Sequence, residues 1–136
     1  VLFAASVLLI ACGKYRKYDN MEEVDNSFTG SVDITSTGET PAGDFIGDNK
    51  GGTYSFASDN PKNKAQVNFD ITTETGSVQM IINDAKGTEV LNETRSAGGN
   101  DTFAGQTAEG KKGMWLVQII ITNFDGDGSF SINPVD

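Results

Sequence analysis

Asn123-Phe124-Asp125-Gly126-Asp127-Gly128 is the segment of this 136-residue chain that comes nearest to metal chemistry. Oxygen-bearing side chains recur at alternate positions and glycine follows. That is the first half of a calcium loop, in which a hard cation gathers several carboxylate and amide oxygens. The second half is missing, because the twelfth position from Asn123 is Pro134 and not a bidentate Glu. Carboxylates from elsewhere, such as Asp44 and Asp48, would have to complete the shell. Asp-Gly is also the strongest short-range hairpin signal. The composition favours a turn over a calcium site, and Ca²⁺ is the one candidate cofactor.

A second chemistry is carbohydrate binding, which pairs aromatic faces with Asp and Asn side chains. The candidates are Phe45, Tyr54 and Trp115, with Asp44 and Asp48. Trp115 alternates with Val117, Ile119 and Ile121, so core burial is the expectation for it. Phe45-Ile46 lies in an Asp- and Gly-rich stretch and either plugs one end of the fold or makes an exposed contact; plugging is favoured. A third chemistry is glycan cleavage by two carboxylates about 5–9 Å apart. Nineteen acidic residues could supply such a pair, but spacing along a chain does not place them, and no catalytic residue is assigned. The chain has no histidine and a single cysteine, Cys12. That removes Ser-His-Asp and Cys-His catalysis and the usual zinc sites. The expectation is a non-enzymatic module, with calcium-dependent carbohydrate binding as the first alternative and glycan cleavage as the second.

The elements that would carry these residues read as strands. Phe28, Gly30, Val32 and Ile34 alternate with polar neighbours, as do Tyr54 and Phe56, then Val67, Phe69 and Ile71, then Val78, Met80 and Ile82. Period two marks half-buried strands. Residues 37–52, rich in Gly, Asp and Pro, read as a long loop. Asp59-Asn60-Pro61 and Asp84-Ala85-Lys86-Gly87 read as turns, and 74–76 as a break. A weaker strand covers 89–95, a Gly-Gly loop 96–100, and a short strand 102–106. Residues 109–113 turn the chain into the strongest strand, 114–122, and a turn at 124–128 leads to a last one, 128–134. The result is an all-β, antiparallel β-sandwich or jelly roll of about eight to nine strands. On 114–122 both faces are apolar, with Met114, Leu116 and Ile120 on the second. A two-layer sandwich buries only one face. The second should be covered by the 37–52 loop or the N-terminal segment, or else form a docking patch.

Net charge is −9. Lys14, Arg16 and Lys17 are clustered, and from Asp19 onward seven basic residues face 19 acidic ones. So acidic a body repels nucleic acid, whose binding depends on neutralising phosphates with Lys and Arg. It repels anionic lipid too.

Residues 1–11 are apolar except for Ser6 and end in Leu9-Ile10-Ala11-Cys12. The run is about the length of a signal-peptide core and shorter than the roughly 20 residues of a membrane-spanning helix. Leu9-Ile10-Ala11-Cys12 resembles the lipobox of bacterial lipoproteins. The resemblance implies that 1–11, clipped at its start, is a signal peptide that is removed. It also implies that Cys12 carries lipid and that the protein sits on the extracytoplasmic side of the cell envelope. In a Gram-negative host that means the outer membrane, because Gly13 is not the retaining Asp. A lipidated Cys12 holds no metal and makes no disulfide. Residues 12–26 then read as lipidated Cys and tether, with Met21-Glu22-Glu23-Val24 a candidate helical turn, and 27–136 as the sandwich, standing off the membrane.

Within that body, residues 51–133 resemble bacterial pre-peptidase C-terminal domains, which are jelly rolls. The matching features are Gly52-Thr53-Tyr54-Ser55-Phe56, then Val78-Gln79-Met80-Ile81-Ile82-Asn83-Asp84 with Gly87. Gly98-Gly99 and Gly113-Met114-Trp115-Leu116-Val117-Gln118-Ile119 follow. That resemblance implies an extracytoplasmic accessory module. Its partners would be the membrane, through Cys12, and a glycan or an envelope protein.

Overall fold

The computed structural model describes residues 17–18, 21–27, 29–36, 39–96 and 102–136. Leu9-Ile10-Ala11-Cys12, the segment that resembles a lipobox, lies outside them. The described residues form eight strands and no helix: β1 (Lys17–Tyr18), β2 (Met21–Asn26), β3 (Ser31–Ser36), β4 (Ala42–Asn60), β5 (Lys64–Asn83), β6 (Glu89–Ser96), β7 (Thr102–Gln106) and β8 (Gly113–Val135). Every pairing is antiparallel.

The three long strands organise the molecule. β8 lies between β4 and β5 along nearly its whole length. The register of all three slips at one level, around 48–52 in β4, 73–77 in β5 and 122–125 in β8. Bulges at matched positions bend a sheet sharply. Each long strand therefore contributes one half to each of two layers. In the first layer β3 and β7 flank the halves 42–48, 126–135 and 64–73. In the second, β1, β2 and β6 flank the halves 52–60, 113–122 and 77–83. At the bend Asn123 has φ 48° and Gly76 has φ 85°. A side chain on Gly76 would strike the Asn123 carbonyl, so this corner needs glycine.

The core lies between the layers. Val67, Phe69 and Ile71 point in, while Asn68, Asp70 and Thr72 point out; strand side chains alternate between faces, and the apolar set selects the inside. Trp115, Val117, Ile119 and Ile121 do the same in the second layer, and Trp115 is 2 % exposed, as its alternation predicts. Phe56 of the second layer stacks on Phe130 of the first with ring centroids 5.7 Å apart. Phe45 meets Phe124 at 5.9 Å near the bend.

Four sequence expectations are corrected. Residues 42–52 are not loop but the first part of β4, and 74–76 is a bulge inside β5, not a break. Residues 123–128 are not a turn; they run on inside β8, and 125–128 are paired on both sides. Met21–Asn26 is a strand, β2, and no helical turn, so pairing begins inside the segment read as a tether. One physical reason covers two of these, 42–52 and 123–128. The glycines that suggested loop make room for rings: a Cβ on Gly128 would run into Phe45, and one on Gly47 into Phe124.

Candidate functional site

The outer face of the first layer gathers the predicted carboxylates by register alone. Asp44 lies opposite Ser129, which lies opposite Asp70. The next row is Ile46, Asp127 and Thr72, and the next Asp48, Asp125 and Thr75. Asp33 of β3 lies opposite Asp44. A depression of about 390 Å³ opens here, lined by Asp44, Ile46, Asp70, Thr72, Asp127 and Ser129, with Phe45, Ile71 and Gly128 between them. No lysine or arginine lines it. Beside it, a second hollow is bordered by Thr72, Thr73, Asp125, Gly126 and Asp127.

The strands hold these groups firmly. Thr73 Oγ1 donates to the Asp125 carbonyl at 2.8 Å and Thr75 Oγ1 to the Asn123 carbonyl at 3.1 Å, tying β5 to β8 at the bend. Thr29 Oγ1 donates to Asp48 Oδ1 at 2.6 Å.

As a metal site the face does not fit. Opposed side chains on neighbouring strands start about 5 Å apart and diagonal ones about 7–8 Å, whereas calcium needs six or more oxygens at 2.3–2.6 Å from one point. Among the described residues no three acidic or thiol side chains are placed to hold a metal ion. Asn123, Asp125 and Asp127 are spread along a strand and do not wrap a point.

The structure divides the predicted sugar-contacting residues. Asp44 and Asp48 lie on the outer face, Asp44 at the depression. Phe45, 1 % exposed, and Tyr54, 3 % exposed, belong to the core, so neither ring is a stacking platform. Phe45 fills space as expected, but from a strand and not from a loop. Ile46, beside it, is 54 % exposed and supplies the apolar surface at the depression. Asp70, Thr72 and Ser129 were not singled out in the sequence. Their only signal was the polar half of an alternating strand, and register alone brings them to Asp44 and Asp127.

The outer face of the second layer is weakly covered. Met114 is 47 % exposed, and Leu116, Ile120 and Ile81 are half-buried. Residues 42–52 do not cover it, because they are part of β4.

No family model matches this chain, and no curated protein matches it. Solved structures do. A carbohydrate-binding module (CBM6cm-2) from Cellvibrio mixtus lichenase 5A, in complex with cellotriose, aligns over 84 % of this chain and 92 % of its own, with TM-score 0.50 and 16 % identity. The module TmCBM61 in complex with β-1,4-galactotriose aligns over 76 % and 83 %, with TM-score 0.44 and 12 % identity. The family 11 carbohydrate-binding module of the Clostridium thermocellum cellulosomal cellulase Lic26A-Cel5E aligns over 90 % and 92 %, with TM-score 0.41 and 9 % identity. At such identities the first likeness establishes the fold, an antiparallel β-sandwich.

Proposed function

We propose that this chain is a non-catalytic carbohydrate-binding module, held on the extracytoplasmic side of a bacterial cell envelope by lipid on Cys12. The observation that carries the binding reading is the depression at Asp44, Asp70 and Asp127, edged by Ser129 and Thr72 and free of lysine and arginine in its lining. Carboxylates accept hydrogen bonds from sugar hydroxyls, and charge-assisted bonds of this kind are the stronger ones. Ser and Thr hydroxyls both donate and accept, which suits the mixed demands of a saccharide. Ile46 offers apolar contact to a ring face. The likeness to the Cellvibrio mixtus module supports the reading, because that protein carries cellotriose on the same type of fold.

Binding on this face needs no metal. The strand course of 123–128 supports the metal-free version. Without an aromatic platform at the depression, affinity should be modest, in the micromolar to millimolar range. Leu9-Ile10-Ala11-Cys12 supports the envelope location, with an outer-membrane address in a Gram-negative host.

The test of binding is affinity electrophoresis of the chain with 1–11 removed and Cys12→Ser, run through gels containing soluble β-glucans, galactans or arabinans. Retardation by at least one polysaccharide, unchanged by chelator and lost in Asp70→Ala and Asp127→Ala, is the expected outcome. Unretarded migration in every gel, or retardation that both variants keep, defeats the reading. The anchor is tested by expressing Cys12→Ala behind a complete signal peptide, which should release the protein from the membrane fraction.

A further inference from the structure

We propose that the glycan taken by the depression is an amino-sugar polymer, one that carries free ammonium groups. This rests on the glycan-binding reading and names its substrate class. Asp127 stands in the middle of the outer face of the first layer. By register its diagonal neighbours are Asp44 and Asp48 on β4 and Asp70 on β5, each about 7–8 Å away. Asp125 is two residues along the same strand, about 7 Å away. Asp33 lies opposite Asp44, and Asp48 opposite Asp125, a placement in which like charges repel. All six residues are exposed.

Bases do not offset these charges. Lys50 is the nearest along the chain, but it follows the register slip and lies opposite Phe124. Lys64, on the same face, lies six residues along β5 from Asp70, about 20 Å away. Among the described residues the ion pairs are Lys62–Asp136 and Arg95–Glu93, and neither includes a carboxylate of this face. Among the same residues Asp48 accepts a hydrogen bond from Thr29, while no donor is turned to Asp44, Asp70 or Asp127. A cation brought to the depression by a ligand is therefore attracted by all of these carboxylates at once.

Their spacing decides what kind of cation fits. A metal ion needs six or more oxygens at about 2.3–2.6 Å from one point, and carboxylates set about 5–8 Å apart do not give them. Ammonium groups carried at intervals along a polymer can meet such carboxylates one by one. A saccharide also uses what lies between the carboxylates. The Ser129 and Thr72 hydroxyls pair with its hydroxyls, and Ile46, 54 % exposed, meets a ring face. A glycan that carries carboxylate or sulfate groups is repelled by the same face.

Calorimetric titration of the protein used for the electrophoresis tests the class. The probes are β-1,4-linked hexamers of glucose, N-acetylglucosamine and glucosamine, with hexalysine as a fourth. An amine beside electron-withdrawing groups is protonated at about pH 6, as an α-amino group is. Three exposed ion pairs of ordinary strength multiply to about tenfold, so the glucosamine hexamer should bind about tenfold more tightly than the two neutral sugars. That advantage should shrink at about 0.5 M salt. It should shrink several-fold in Asp127→Asn, which keeps an acceptor oxygen. Glu109→Gln removes the same charge elsewhere, from a side chain that bonds Asn63, and should keep it. Equal binding of the three sugars overturns the amino-sugar class and leaves the glycan reading standing. An advantage that Asp127→Asn keeps, or that Glu109→Gln loses equally, belongs to the net charge of the protein and also overturns it. Hexalysine bound as tightly as the glucosamine hexamer, with neither neutral sugar bound, would make the ligand a basic peptide. No binding of any sugar defeats the glycan reading, and the amino-sugar class falls with it.

Discussion

Asp84 Oδ2 accepts the backbone N–H of Lys111 at 2.8 Å, across 27 residues of sequence. Its other oxygen accepts the N–H groups of Lys86 and Thr88 at 2.9 and 2.8 Å. One buried carboxylate thus closes the β5–β6 turn and fastens it to the segment that leads into β8. Lys111 in turn accepts the Trp115 indole N–H through its carbonyl at 2.7 Å. The sequence marked Asp84 as a turn residue, which it is, but nothing local revealed its partner at 111.

Acid should loosen this clamp. The Lys111 and Thr88 N–H groups hold the Asp84 carboxyl below its ordinary value of 3.8; burial opposes them, and the Lys86 and Gly87 N–H groups add to the lowering. A group bound more tightly as the anion binds fewer protons when folded than when unfolded. Its contribution to stability is therefore full above the unfolded value and is lost as pH falls through the folded one. Asp84→Asn should lower the melting temperature at pH 7 and flatten its decline below about pH 4. Thermal melts from pH 7 to 2 check this, and an Asn variant with an unaltered acid limb would remove Asp84 from the explanation.

Gly128→Ala should destabilise the fold by about 1–3 kcal/mol, the usual cost of forcing extra atoms into a packed core. The added methyl would meet the Phe45 ring, and β8, paired on both sides, has little freedom to move away. Phe45→Leu in the same chain should recover part of the loss, because it removes the ring edge that the methyl strikes. Urea denaturation of the two single variants and the double variant measures the coupling. Additive losses would show that ring and glycine do not interact.

The same pair explains what was legible in the sequence and what was not. Val67, Phe69 and Ile71, or Trp115, Val117, Ile119 and Ile121, announce their strands because the apolar half of a period of two has no other reading. Gly43, Gly47 and Gly128 suggest turns, since a glycine that frees the backbone and one that clears space for a ring look alike in sequence. Asn123, Asp125 and Asp127 posed a sharper ambiguity. Calcium ligands at alternate loop positions and the outer face of a strand share a period of two, and only the partners on β4 and β5 tell them apart. The depression was illegible for a related reason. Asp44, Ser129 and Asp70 are far apart in sequence, and their meeting is a matter of register.

Phe56→Ala should cost about 3–5 kcal/mol, the range for deleting a fully buried ring. Phe56 is completely buried, stacks on Phe130 and lies 5.9 Å from Tyr54. Because it belongs to the second layer and Phe130 to the first, its loss opens the contact between layers rather than one sheet. Near-ultraviolet circular dichroism should weaken while the far-ultraviolet strand signal persists at low temperature. A variant that melts within a degree or two of the parent would mean that the layers are held elsewhere.

Asp48 and Asp125 lie directly opposite each other on β4 and β8. Like charges so placed destabilise a sheet by a few tenths to about 1 kcal/mol. Asp125→Asn should therefore raise the melting temperature slightly, more at low salt than at 0.5 M, where the Debye length is shorter. A calcium site would reverse every sign. Removing a ligand would lower stability in calcium, and saturating metal would stabilise the parent by RT ln(1 + [L]/Kd), about 2.7 kcal/mol at a hundredfold excess. Melts of parent and variant in millimolar calcium and in chelator decide between the two. Strand geometry predicts a parent curve that is the same in both and a variant that is the more stable. A parent that gains several degrees in calcium and a variant that loses them would restore Asn123, Asp125 and Asp127 as ligands. In that case the pairing of 125–127 with β4 and β5 would have to open to let metal in.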